Sequence, residues 1–227
     1  LITVGRPQLD LGQTPIPADP KLKTITYAPT WEGEDEANNY TSMDLYGKKI
    51  IDAALSQKNC RTIYKPHPRI LTSKDPEVMA AHKYIISKLS KAPHQILLEG
   101  DVIEVLLGTD ILISDISSVT LDYLYLKPSG AIFLSDRRTD LVSLESESPV
   151  ASAATIIDLN SVDSLSAQLE KTLQKDELSA KRAEVCRYYF GGIAAGESSK
   201  TYYAAILNSI NEHEIALNAL TRTRRSI

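Results

Sequence analysis

Two short runs carry residue types that could do chemistry. The first is Tyr64-Lys65-Pro66-His67-Pro68-Arg69, a histidine held between two prolines and flanked by two cations. Proline fixes the backbone and ends a strand, so the imidazole is presented from a rigid turn. A lone histidine is more often structural, but Lys65 and Arg69 shift that balance. Cations around a histidine suit a pyrophosphate, and the ring can neutralise or protonate a leaving phosphate. The second run is Asp110–Tyr123, DILISDISSVTLDY. Its apolar stretch Ile111-Leu112-Ile113 reads as a buried strand that ends at Ser114-Asp115-Ile116-Ser117-Ser118 and opens a helix. At such a junction free backbone N–H groups and the helix dipole attract anions, and the hydroxyls of Ser117 and Ser118 add donors. The competing reading is that Asp115 or Ser117 only caps the helix.

A third turn, Ala28-Pro29-Thr30-Trp31-Glu32-Gly33, follows an earlier strand and points the Thr30 hydroxyl at the same edge. Trp31, the only tryptophan, reads equally well as plain packing. No carboxylate pair at this edge suggests hydrolysis, and there is no Gly-x-Gly-x-x-Gly or Walker loop. A Mg²⁺ site through Asp115 has no support. His67, His82, His94 and His213 lack metal-ligand spacing, so neither a zinc site nor a cofactor is expected. His82, on a helix, and His94, in a loop, are expected to tolerate substitution.

The elements that must position these residues follow from the apolar pattern. Strands are expected at Leu1–Pro7, Thr24–Ala28, Thr62–Lys65, Gln95–Leu98, Ile111–Ser114, Ala131–Leu134 and Thr155–Asp158. Helices are expected at Leu45–Ser56, from Pro76 (capped by Asp75) to Leu89, at Val102–Leu107, Thr120–Leu126, Ser161–Lys175, Asp176–Tyr189 and Ser198–Leu220. Gly191-Gly192 separates the last two, and Ser143–Ser152 reads as a loop. Nearly all-apolar strands alternating with helices indicate a parallel sheet covered on both faces, an α/β Rossmann-like domain with a helical C-terminal extension.

With 227 residues, 43% hydrophobic and 24% charged, the chain has the composition of an ordinary globular protein. A net charge of −4 argues against a nucleic-acid partner. Cys60 and Cys186 read as reduced thiols of a cytoplasmic protein, and no run is long enough to cross a bilayer. The start at Leu1 rather than methionine suggests a piece of a longer protein.

The order YAPTW, YKPHPR, DILISDISSVTLDYLYLKPSGAIFL resembles the C-terminal half of the CDP-glycerol glycerophosphotransferases, the teichoic-acid primases and polymerases of bacteria. Gly5-Arg6-Pro7-Gln8-Leu9-Asp10 resembles that family's G-x-P-R-x-D linker, with Gln8 in place of the arginine. Phe190–Ser199, FGGIAAGESS, resembles its Phe…Gly-x-Ser-Ser stretch with a different spacer. The likeness runs over roughly Gly5–Leu207.

The resemblance implies a GT-B architecture of two Rossmann-like domains, of which this chain supplies the C-terminal, nucleotide-holding one. By it, His67 contacts the diphosphate as the catalytic group. By it too, Thr30, Arg69, Ser117 and Ser118 would bind the donor, and Lys65, Asp115 and Asp122 are expected to join them. A second functional histidine of the family lies in the N-terminal domain, which is missing here. Residues 1–20 would be the linker from that domain, 21–197 the donor-binding domain, and 198–227 a helix with a basic tail (Arg222, Arg224, Arg225). The implied partners are CDP-glycerol or a related CDP-polyol, a polymer or lipid-linked acceptor, and the N-terminal domain. The expected location is cytoplasmic, with room for peripheral contact with the inner membrane face. Two rival readings keep the scaffold: a glycosyltransferase using a nucleotide sugar such as CMP-sialic acid, and a non-catalytic nucleotide-binding module.

Overall fold

The computed structural model describes residues 2–139 and 143–224. Its sheet has six parallel strands: β1 (Lys23–Ala28), β2 (Cys60–Tyr64), β3 (Gln95–Ile96), β4 (Ile111–Asp115), β5 (Ala131–Ser135) and β6 (Thr155–Ile157), in the spatial order β3-β2-β1-β4-β5-β6. The order reverses between β1 and β4. A sheet wound both ways from that point leaves a crevice at the carboxyl ends of the two strands, because their connections depart to opposite faces.

The helices are α1 (Gly47–Leu55), α2 (Pro76–Lys88), α3 (Val102–Leu107), α4 (Ser118–Leu126), α5 (Leu144–Glu147), α6 (Leu165–Gln174), α7 (Ser179–Phe190) and α8 (Ser198–Arg224). Every residue of β2, β4 and β5 is buried, as expected of strands covered on both faces. Ile25, Tyr27, Ile50, Ile51, Tyr64, Ile85, Ile113, Phe133 and Leu169 form the centre of the core. Asp75 caps α2, its carboxylate accepting from the N–H groups of Glu77 and Val78, and Pro76 occupies the first turn.

Two expected elements differ. Residues 2–6 form no strand: Gly5 turns the chain at φ 74°, and a 3-10 turn follows at Pro7–Leu9. Ser143–Ser152 is not a loop. Ser143 caps α5, and Pro149 starts a 3-10 turn through Ala153, which together bury Leu144, Val150, Ala151 and Ala153.

The chain packs as two compact units, Gln13–Val185, which contains the sheet, and Leu1–Gly12 with Cys186–Ile227. Segment 13–20, read from sequence as linker, is tied to the sheet unit. Ile16 N–H donates to the Glu104 carbonyl, and the Arg61 guanidinium donates to the Pro17 carbonyl. In the other unit the two motifs from opposite ends of the sequence meet. The Asp10 carboxylate accepts from the N–H groups of Gly196 and Ser199, and the Ser198 hydroxyl accepts from Arg6 N–H. The Ser199 N–H, foremost among these contacts, holds the Asp10 carboxyl below its ordinary value. Arg225 lies outside the described residues; Arg222 and Arg224 belong to the backbone of α8.

Candidate functional site

The carboxyl ends of β1, β2 and β4 open onto a cleft of about 550 Å³. Thr30 and Trp31 follow β1, Lys65 and His67 follow β2, and Ser117 and Ser118 stand at the junction of β4 with α4. All six line the cleft, joined by Gly100, Asp101 and Val102 from the segment after β3.

His67 is fixed at three points. Its N–H donates to the Pro29 carbonyl at 3.0 Å. Its Nδ1 accepts the Arg69 N–H at 3.2 Å, and its ring stacks on Trp31 with centroids 6.3 Å apart and planes 26° apart. Because Nδ1 is used as an acceptor, the proton of the neutral ring sits on Nε2, which makes no hydrogen bond among the described residues. Burial, with smaller contributions from the Arg69 and Lys65 charges, holds the imidazole below its ordinary value. The ring is therefore neutral at physiological pH and offers a hydrogen-bond donor. Lys65 is almost buried, donates from Nζ to the Glu99 carbonyl at 3.2 Å, and is lowered by desolvation.

Ser117 occupies the N-cap position of α4, but its side chain makes no capping bond. Neither serine hydroxyl has a partner among the described residues, so both are available together with the first N–H groups of a nine-residue helix.

The other expected site residues stand elsewhere. Arg69 does not line the cleft: its guanidinium lies 4.2 Å from the centre of the Trp31 ring and 3.6 Å from Glu34. Asp115 sits wholly buried beneath the turns, with its oxygens taken by Thr30, Ser42 and Ser135. It is not a helix cap. Asp122 lies one turn into α4, half-buried and outside the cleft lining. Trp31, read as equally consistent with plain packing, packs against the core and also lines the cleft, stacking with His67 and meeting the Arg69 guanidinium. The Gly100–Val102 segment carries a signal that could have been read: Asp101 followed by Glu104, the pattern of a capped helix start. Asp101 accordingly caps α3 through the Ile103 N–H at 2.9 Å.

His82 and His94 are not the tolerant positions expected from sequence. His82 is buried with Nδ1 3.0 Å from the Tyr64 hydroxyl, and His94 Nδ1 accepts the Thr62 N–H at 3.0 Å. Both brace β2.

A parallel sheet of this order, with an anion-attracting helix start at its switch point, defines the class of doubly wound α/β domains whose ligands sit at that edge. Residues 10–208 match the family described as CDP-Glycerol:Poly(glycerophosphate) glycerophosphotransferase, and the chain belongs to that family. No curated protein matches the sequence.

Among solved structures, it is similar to a protein assigned as UDP-N-acetylglucosamine 2-epimerase from Listeria monocytogenes. The TM-score is 0.60 at 15% identity, covering 92% of this chain and 53% of that one. It is also similar to a variant of the wall teichoic acid polymerase TagF soaked with CDPG (TM-score 0.52, 19% identity, 86% and 43% covered). A third similar structure is UDP-GlcNAc 2-epimerase from Neisseria meningitidis bound to UDP-GlcNAc (0.52, 14%, 84% and 45%). At these identities the likeness bears on the fold. The parallel Rossmann-like sheet expected from the sequence, and its likeness in fold to GT-B proteins, are borne out. The chain spans about half the length of the structures it matches. No described helix is long and apolar enough to cross a membrane.

Proposed function

We propose that this chain is the donor-binding half of a transferase that takes glycerol phosphate from CDP-glycerol, or a related CDP-polyol, to a polymer or lipid-linked acceptor. One observation carries the reading: the His67 Nε2–H and the Ser117 and Ser118 hydroxyls, all without partners among the described residues, line one cleft at the switch point. Family membership supplies the chemistry that such donors would serve.

A row of residues lines the cleft: Asp101 at the start of α3, His67 after β2, Thr30 after β1 and Ser117 at the start of α4. A nucleoside diphosphate is elongated and charged at one end, and this row suits it. Its phosphates lie at α4 and His67, and its hydroxyl-bearing end lies toward Asp101. In the transfer an acceptor hydroxyl attacks the phosphorus that carries glycerol. The bond to the CMP oxygen breaks, and CMP leaves with the electron pair. Nε2–H of His67 donates to the phosphate oxygens as charge builds on them, and the helix start and serine hydroxyls hold the rest in place. The proton of the acceptor hydroxyl is taken from outside this cleft, which is the part assigned to an N-terminal domain. Such an acceptor would arrive from the inner membrane face.

Titration calorimetry tests this reading. CDP is expected to bind more tightly than CMP, because two phosphates share the helix start and His67, and more tightly than ATP. Equal or better binding of ATP would overturn a cytidine donor. The chain by itself is expected to bind donor without elongating a glycerol-phosphate acceptor, and elongation by it alone would overturn the division of labour.

A further inference from the structure

Asp115 does not line the cleft, yet it meets the turns that build it. Its carboxylate closes β4 and is fully shielded from solvent. Oδ2 accepts the Thr30 N–H at 2.7 Å, and Oδ1 accepts the Ser42 N–H at 3.1 Å and the hydroxyl of Ser135 at the end of β5. The loop from Thr30 to Ser42 is thus clasped near both ends by one side chain. The Thr41 hydroxyl closes it again on the Thr30 carbonyl at 2.8 Å. Trp31, the residue after Thr30, is the plate on which His67 stacks. Three residues beyond Asp115 α4 begins, and the Thr120 hydroxyl reaches back to the Asp115 carbonyl at 3.2 Å.

An ionised carboxyl here is costly. Desolvation pushes Asp115 up to about 6 from an ordinary 3.8, against the pull of Ser135, Ser42 and Thr30. The folded state therefore binds this proton more tightly than the unfolded chain does. Stability from this group is greatest below about pH 4 and falls as pH rises to about 6. The titratable groups that face it are the phenols of Tyr27 on β1 and Tyr64 on β2, both raised in part by its charge. Hydroxyls complete the surroundings: Ser42 in the loop, Ser135 on β5 and Thr120 on α4. A side chain that lowers stability when charged, but accepts from two backbone N–H groups of the loop, has a positional role.

We infer that Asp115 is a positioning residue for the cleft: its carboxylate fixes the Thr30–Ser42 loop against the start of α4 and, through Trp31, sets where His67 stands. The link to donor affinity rests on the cleft being the donor pocket; the link to Trp31 does not.

Trp31 is the only tryptophan, so its emission reports the loop with no ligand present. Asp115→Asn keeps the side chain's size but turns one oxygen into an NH2 group, so it cannot accept from Thr30 and Ser42 together. The variant is expected to expose Trp31 to acrylamide quenching and to weaken CDP binding about tenfold. Should it fail to fold, Ser135→Ala carries the test. It removes a donor that favours the charged form, so the carboxyl titrates at higher pH. In a His67→Gln background, free of the imidazole's own titration, Trp31 emission is expected to change with a midpoint near pH 6. Ser135→Ala is expected to move that midpoint upward. Unchanged quenching in Asp115→Asn, or an unmoved midpoint in Ser135→Ala, overturns the inference. If CDP binds no protein, the wild type included, the donor reading fails, and the Trp31 measurements still decide the role of Asp115.

Discussion

The two ends of the same strands carry similar residue types and use them differently. At the amino ends, the Asp110 carboxylate accepts from Thr24 N–H at 2.9 Å and from Lys23 Nζ at 3.1 Å. Arg61 donates to the Thr24 hydroxyl and the Pro17 carbonyl, and Thr26 and Thr109 share a hydrogen bond at 2.6 Å. Apart from Arg61 Nη2, which is buried without a partner among the described residues, these polar groups are engaged and knit the sheet to its entry segment. At the carboxyl ends, Ser117, Ser118 and His67 Nε2 have no such partners among the described residues, although the backbone around them is just as firmly tied. A polar cluster becomes a candidate site when its donors are held in place but left without acceptors. That asymmetry matches the rule that open α/β sheets bind ligands beyond the carboxyl ends of their strands.

The sharpest way to break this contrast is at His67. On the proposed function, His67→Ala in a protein that carries both halves is expected to lower transfer about 10³-fold, the scale of a lost proton-donating group. The melting temperature should move little, since the ring is half-buried at the cleft and engages the Arg69 N–H and the Trp31 ring rather than the core. A large drop in melting temperature would make His67 structural and the two sheet edges alike.

The opposite edge should answer in the opposite currency. Asp110→Ala leaves Thr24 N–H and Lys23 without their acceptor and is expected to cost about 2 kcal/mol in urea unfolding. CDP affinity, read by calorimetry, should stay within error. His82→Ala belongs with it: losing the bond to the Tyr64 hydroxyl inside the core is expected to cost about 1–2 kcal/mol of stability.

Ser117→Ala probes the helix start. It removes one hydroxyl donor and leaves the N–H groups of α4, so CDP is expected to bind about tenfold more weakly at unchanged stability. Full retention of affinity would place the phosphates elsewhere. The smallest effect is expected at Arg69→Ala. Its guanidinium stacks on Trp31 outside the cleft, and an exposed contact of this kind contributes about 0.5–1 kcal/mol. Donor binding should weaken only two- to fivefold, and a hundredfold loss would mean that Arg69 swings in to meet the ligand.

Read alone, the sequence determined the element order and the strand ends that face the cleft. It did so because buried parallel strands write themselves as short apolar runs, and because Pro66, Pro68 and the Ser117-Ser118 pair punctuate those runs at fixed places. That His67, Thr30, Lys65, Ser117 and Ser118 share one cleft was legible for that reason. Where the sequence was silent, the cause was contact between distant segments. Nothing local in Ser114-Asp115-Ile116 tells whether the carboxylate faces a ligand or its own fold. Only the approach of Thr30, Ser42 and Ser135, 85, 73 and 20 residues away, turns it inward. Arg69 likewise reads as a cleft cation until Trp31 captures it, and His82 and His94 read as bystanders until β2 runs between them. Strand positions follow from periodicity, a local property. The partner of a polar side chain depends on which other segments fold against it, and that is decided by tertiary packing.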